Sequence, residues 1–194
     1  MKNIVQKKRD GRADTRQRRP HSVAALLLFL LALIAGPVLA APSVEVGFSP
    51  EGSAQRLVLS VIDEARRSIR LMGYSFTSPP VVRALMAAQR RGVDVAVVLD
   101  DKANRNRASL AAMNLLVNAG VAVRTVDAYK ITHDKTIICD GVTTETGSFN
   151  FSRAADRSNS ENVVVLKDMP AVAKAYLAHW QSRWDQGRDW RSDY

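Results

Sequence analysis

From residue 41 onward, the spacing of apolar positions switches repeatedly between two and three-to-four. Residues 44–48, VEVGF, alternate and predict a short edge strand. After the turn signal Ser49-Pro50-Glu51-Gly52, Leu57, Val58, Val61, Ile62 and Ala65 recur at helical spacing. They predict a helix over 54–67 with Ser53 as its cap. Residues 68–75 read as a strand, and Ser78-Pro79-Pro80 opens a second helix that Gly92 closes. Residues 93–99, VDVAVVL, form a nearly unbroken apolar run, as in a strand covered on both faces. A third helix is predicted over 107–118 and a strand over 121–126. Residues 135–139 and 142–147 flank Asp140-Gly141 and read as a hairpin. A strand over 161–166 and a helix over 170–185 follow. The β-α-β-α-β-α-β order predicts one α/β domain, with a mixed, mainly parallel sheet flanked by helices on both faces.

Residues 1–40 do not share this pattern. The first twenty hold eight basic and two acidic side chains, and residues 23–35 are an apolar run. That run suits a signal-peptide core and is shorter than the roughly 20 residues of a bilayer span. Gly36-Pro37 breaks it, and Val38-Leu39-Ala40 offers small residues to a peptidase. Residues 1–40 are therefore expected to be a signal peptide cut after Ala40, with an uncleaved anchor as the alternative. Residues 41–194 are the expected working domain, exported to a periplasm or secreted.

This division changes the charge argument. The chain is formally +9, and the first twenty residues carry +6 of it, which leaves 20 basic and 17 acidic residues, or +3. Bulk charge alone does not establish nucleic-acid binding. The single cysteine, Cys139, makes no internal disulfide and sits in the apolar run TIIC, where it reads as a small core hydrophobe. No Cys/His cluster has zinc-ligand spacing.

One constellation carries chemistry: His133-x-Lys135-x4-Asp140, then Gly147-Ser148-x-Asn150. Residues two apart on a strand share a face, so His133 and Lys135 project together, as do Ser148 and Asn150. The hairpin sets the two pairs side by side. An imidazole near pKa 6.5 is a nucleophile or proton carrier at neutral pH. Donors around it suit a substrate whose oxygens gain charge, and a phosphodiester fits. The cluster offers no carboxylate pair for magnesium, so the expected chemistry needs no metal and no cofactor.

At these positions the chain resembles the phospholipase D superfamily, whose signature is H-x-K-x4-D followed by G-S-x-N. With a single motif copy, it is most similar to the small bacterial endonucleases of that superfamily, the Nuc type. Tyr74-Ser75-Phe76-Thr77 is similar to a segment near that family's active site. The resemblance implies a phosphohistidine formed by one His, while a second His protonates the leaving oxygen and then activates water. Carried over, His133 is the nucleophile, Lys135 and Asn150 hold the non-bridging oxygens, and Ser148 supports the site. Glu161 stands where the family places a carboxylate that bonds the far nitrogen of the His. Asp140, the last motif residue, suits bracing the strand pair.

That chemistry needs two histidines, and after residue 40 the chain has only His133 and His179. His179 lies in AKAYLAHWQSRW, an amphipathic helix without a motif. The resemblance therefore implies a homodimer, with a second His133 brought by a two-fold axis. The implied partners are DNA and RNA. Tyr74, Phe76, Lys102 and Arg105 are candidate substrate contacts, the last two in the basic loop DDKANRNR. Asp100-Asp101 suits turn and capping chemistry, and Trp180, Trp184 and Trp190 suit packing. Two alternatives share the sequence: a phospholipase D-type lipid phosphodiesterase, and a non-catalytic polyanion-binding protein.

Overall fold

A computed structural model describes residues 41–192, so the expected leader lies outside the described residues. The chain runs β1 (Ser43–Ser49), α1 (Ser53–Glu64), β2 (Ser68–Gly73), α2 (Pro79–Arg90), β3 (Asp94–Asp100), α3 (Arg107–Asn118) and β4 (Ala122–Val126). It continues through β5 (Lys135–Cys139), β6 (Thr143–Gly147), α4 (Arg153–Arg157), β7 (Glu161–Lys167), α5 (Pro170–Gln186) and β8 (Arg188–Asp189). The strands form one sheet in the order β1-β7-β6-β5-β2-β3-β4-β8.

The sheet is mixed, as expected, but its expected parallel majority is corrected. Only β2-β3 and β3-β4 are parallel, each joined by a crossover helix. The β1-β7, β7-β6, β6-β5, β5-β2 and β4-β8 ladders are antiparallel. The cause is the hairpin run after β4. Short connections permit only antiparallel neighbours, and that run inserts between β1 and β2.

Alternation along the strands sends side chains to two covered faces. Ile69, Leu71, Val95, Val97, Leu99 and Ile137 pack under α1, α2 and α3. Met72, Ala96, Val98 and Ile138 face α5, which brings Ala173 and Trp180. Trp180 is 3% exposed, donates its indole N–H to Leu71 O at 3.0 Å and stacks on Trp184 with ring centroids 4.9 Å apart. The tryptophans of α5 are packing groups, as their spacing implied. Cys139 is buried, and burial pushes its thiol up, in keeping with a core role.

The hairpin forms at Asp140-Gly141, with φ of 56° and 72° and a closing bond from Val142 N to Cys139 O at 3.1 Å. Two consecutive left-handed residues match the twist of a two-residue loop. Helix α1 ends at Glu64, three residues before its pattern does. Ser53 does not cap it; its hydroxyl bonds Phe48 N at 2.7 Å instead.

Candidate active site

Strand register gathers the motif. Gly73 pairs with Lys135, Thr136 with Thr146, Gly147 with Val163, and Ser49 with Glu161. The end of β2, the start of β5, the end of β6 and the start of β7 therefore lie along one end of the sheet. There His133, Lys135, Gly147, Ser148, Asn150 and Glu161 line a cleft of about 430 Å³.

His133 is exposed, in the loop before β5, and its ring meets the edge of Tyr74 with centroids 4.7 Å apart. Lys135 is buried, donates from Nζ to His133 O at 2.7 Å, and holds its ammonium 5.5 Å from the Tyr74 ring centroid. Burial pulls its pKa below the ordinary lysine value, against the opposing pull of Asp134 and Glu161. Gly147 is required by close approach. A Cβ there would stand 2.2 Å from Asn162 O, inside the β7 backbone. Contact that tight lets Ser148 N reach Asn162 O at 3.1 Å and fixes where its hydroxyl points.

Sequence spacing did not show what holds the His133 segment. Asp100, buried at the end of β3, accepts from Thr132 N at 2.7 Å and from Ala103 N at 2.8 Å. Asn104, fully buried, donates to Tyr74 O at 2.6 Å and Asp100 O at 2.8 Å, and accepts from Phe76 N at 2.9 Å. On the other flank, His179 Nε2 stands 3.1 Å from Asp134 Oδ1. The sequence signal was slight: one asparagine, Asn104, among the charged residues of a basic loop. The α3 cap is Asn106, which accepts from Ser109 N at 3.0 Å, so Asp100 serves the turn and the neighbouring loop.

The four candidate contacts separate. Tyr74 stands against His133. Phe76 is fully buried against Phe151, ring centroids 6.4 Å apart, and is corrected to a core residue. Lys102 is exposed and Arg105 is ion-paired with Asp101, both on the β3–α3 loop and outside the cleft lining.

Comparison with known proteins decides the family. Residues 58–184 match the family described as cardiolipin synthase, PLD-like domain. The chain belongs to the phospholipase D superfamily. Phospholipase D from Rickettsia bellii is 37% identical over 136 residues, covering 70% of this chain and 66% of that protein, just under two thirds. Mitochondrial cardiolipin hydrolase from Xenopus laevis is 32% identical over 70% of this chain and 63% of its own length. Among solved structures, the phospholipase D family member Nuc from Salmonella typhimurium is 58% identical, with a TM-score of 0.78, over 78% of this chain and all of that one.

Asp140 braces neighbouring elements, the role its sequence position suited, and Glu161 departs from the bond to the His that the resemblance implied. Asp140 closes the far end of β5, roughly 16 Å from Lys135 at strand rise, and is no part of the cleft. Its carboxylate accepts from Arg66 N at 2.9 Å, Arg67 N at 2.7 Å and Ser68 N at 2.9 Å, a brace between β5 and the α1–β2 turn. Glu161 lines the cleft, but its oxygens are held by Ser148 Oγ at 2.5 Å and Asn159 Nδ2 at 2.8 Å, not by the His133 ring.

Proposed function

We propose that this phospholipase D-superfamily hydrolase cuts the phosphodiester backbone of DNA, and of RNA, at a site completed by a second copy of the chain. The observation that carries the reading is the cleft's content: one histidine, beside a lysine, a serine, an asparagine and a carboxylate. His179 sits on α5, turned to Asp134, outside that lining. Asn150 Oδ1 is buried with no hydrogen-bond partner among the described residues, as expected of a half-site that meets its counterpart.

In the first step a ring nitrogen of His133 bonds to phosphorus as the bond to the leaving oxygen breaks. That oxygen takes a proton from the imidazolium of the partner subunit's His133. Lys135 and Asn150 donate to the non-bridging oxygens, where charge accumulates. In the second step water attacks phosphorus and gives its proton to the partner's His133. The nitrogen–phosphorus bond breaks, which leaves a phosphate monoester and free His133.

The polar lining favours a polynucleotide. A lipid phosphodiester is the second reading, favoured by Ile131, which is 49% exposed two residues before His133. Purified protein incubated with plasmid DNA in EDTA tests the proposal. Nicking by wild type and none by His133→Ala supports it. No nicking, with head-group release from phospholipid vesicles, supports the lipid reading. Full turnover by a species that sediments as a monomer sinks the shared site.

A further inference from the structure

At the same end of the sheet the chain leaves the cleft through Phe151 and Ser152 and enters α4. Arg153 lies three residues beyond Asn150, so the two Cα atoms are at most about 11 Å apart. Phe151 O accepts from Thr77 N at 2.8 Å and Ser78 N at 2.9 Å, which fastens the start of α2 to the start of α4. Between these two helix starts opens a second cleft of about 530 Å³, walled by Arg83, Arg153, Arg157 and Asp156.

The charges there are unbalanced. Arg157 Nε pairs with Asp156 Oδ2 at 2.6 Å, and that carboxylate is the one acid among the described residues of the wall. Arg83 and Arg153 are exposed and have no ion-pair partner among the described residues. Two guanidiniums thus face the opening uncompensated, carried on segments fixed to the Asn150 loop. Guanidinium forks match phosphate oxygens, and a planar fork loses little freedom for each hydrogen bond it forms. Neither requirement of the catalytic cleft accounts for them: they lie outside its lining.

We propose that Arg83, Arg153 and Arg157 form a second phosphate subsite, which grips a polynucleotide strand at a phosphate away from the one being cut. The inference rests on the nuclease reading and narrows it. A strand repeats its phosphates about every 3.4 Å of helix axis, so a strand being cut beside Asn150 has further phosphates to offer a neighbouring cleft. A diester without flanking phosphates cannot fill both clefts. The subsite would make cleavage depend on strand length.

The test compares wild type with Arg83→Ala/Arg153→Ala, which leaves the Arg157–Asp156 pair intact. Two substrates are used, plasmid DNA and bis(p-nitrophenyl) phosphate, whose lone diester reaches only the catalytic cleft. The expected result is a loss of about tenfold or more in kcat/KM on DNA, carried by KM, with the small diester turned over at a rate within about twofold of wild type. The slope of log affinity for DNA against log salt should become shallower by about 2. Arg83→Lys/Arg153→Lys should restore much of the DNA rate. An equal loss on both substrates, or no loss on DNA, overturns the subsite. Wild type that hydrolyses the small diester but never DNA overturns the nuclease reading, and the subsite with it. With anionic phospholipid vesicles added as a separate arm, a loss confined to vesicle binding assigns the arginines to a membrane surface instead and also overturns it.

Discussion

Ser148 donates its hydroxyl hydrogen to Glu161 across the end of the sheet, Oγ to Oε2 2.5 Å, while the same Oγ accepts from Asn162 N at 3.0 Å. Asn159 Nδ2 secures the other carboxylate oxygen at 2.8 Å. Glu161 therefore presents a fixed negative charge to the cleft it shares with His133 and Lys135. Ser148 is a positioning residue acting through that carboxylate. Ser148→Ala and Glu161→Gln should each lower kcat by about 10–100-fold, as loss of supporting hydrogen bonds does elsewhere. DNA KM should barely move. Because the two act as one unit, the double variant should lose no more than the worse single one. Steady-state kinetics on plasmid DNA measure this, and multiplicative losses would break the coupling.

Lys135 gives an alkaline limit. Burial lowers its pKa from the ordinary value of about 10.4, and an uncharged amine cannot hold a non-bridging phosphate oxygen. The sign follows: the amine loses its proton at a lower pH than an exposed lysine would. Affinity for DNA should weaken on the alkaline side below about pH 10.4, separately from the proton that the leaving oxygen needs from the partner's His133. Lys135→Arg, whose guanidinium stays charged, should bind less tightly at neutral pH but keep its affinity further into base. A binding profile in which both proteins lose affinity over the same alkaline range would exclude Lys135 as its source.

Asp140 should matter for stability and not for turnover. Burial works to raise its pKa, but the Ser68, Arg66 and Arg67 backbone N–H groups and the Arg67 charge outweigh it, so its folded value lies below the usual one. A depressed carboxylate stabilises the fold above the unfolded value of about 3.9 and loses that contribution as pH falls through the folded value. Asp140→Ala should cost about 2–3 kcal/mol at pH 7, since three backbone donors lose a charged acceptor. kcat measured well below the melting temperature should be unchanged. The gap between wild type and variant should close in acid. A kcat loss without a melting shift would return Asp140 to the chemistry.

The same residue shows why part of the fold was not legible. The apolar spacing of 54–67 continues past Glu64, but the Asp140 carboxylate takes the N–H groups of residues 66–68 from more than 70 positions away. Local pattern cannot carry that. The hairpin was legible because Asp140-Gly141 is its own instruction, and the cleft because its spacing sits within one hairpin and the next strand. The parallel majority was misread because β-α order does not say where later strands insert. Helix α4, with five residues, is shorter than the window that periodicity needs. Phe76 and Tyr74 are two apart but do not share a fate. After Gly73 the chain leaves the strand, and Asn104 turns Phe76 into the core. Arg83 and Arg153 meet only through the fold.

Glu145 lies on β6 between Ile137 and Val165, fully buried on the face beneath α1. Neither carboxyl oxygen has a hydrogen-bond partner among the described residues. Burial raises its pKa well above the ordinary value, so the folded protein holds this group protonated while the unfolded chain ionises it above about pH 4.3. The unfolded state then binds fewer protons, and stability falls as pH rises from about 4.3 towards the folded value. The slope can reach about 1.4 kcal/mol per pH unit for one group. Glu145→Met keeps the volume and removes the titration. The variant should melt higher than wild type, and the difference should widen as pH rises above about 4.3. Melting curves of both proteins across that range decide it. A difference that stays flat with pH would mean that the carboxyl is ionised in the folded protein and compensated by a partner.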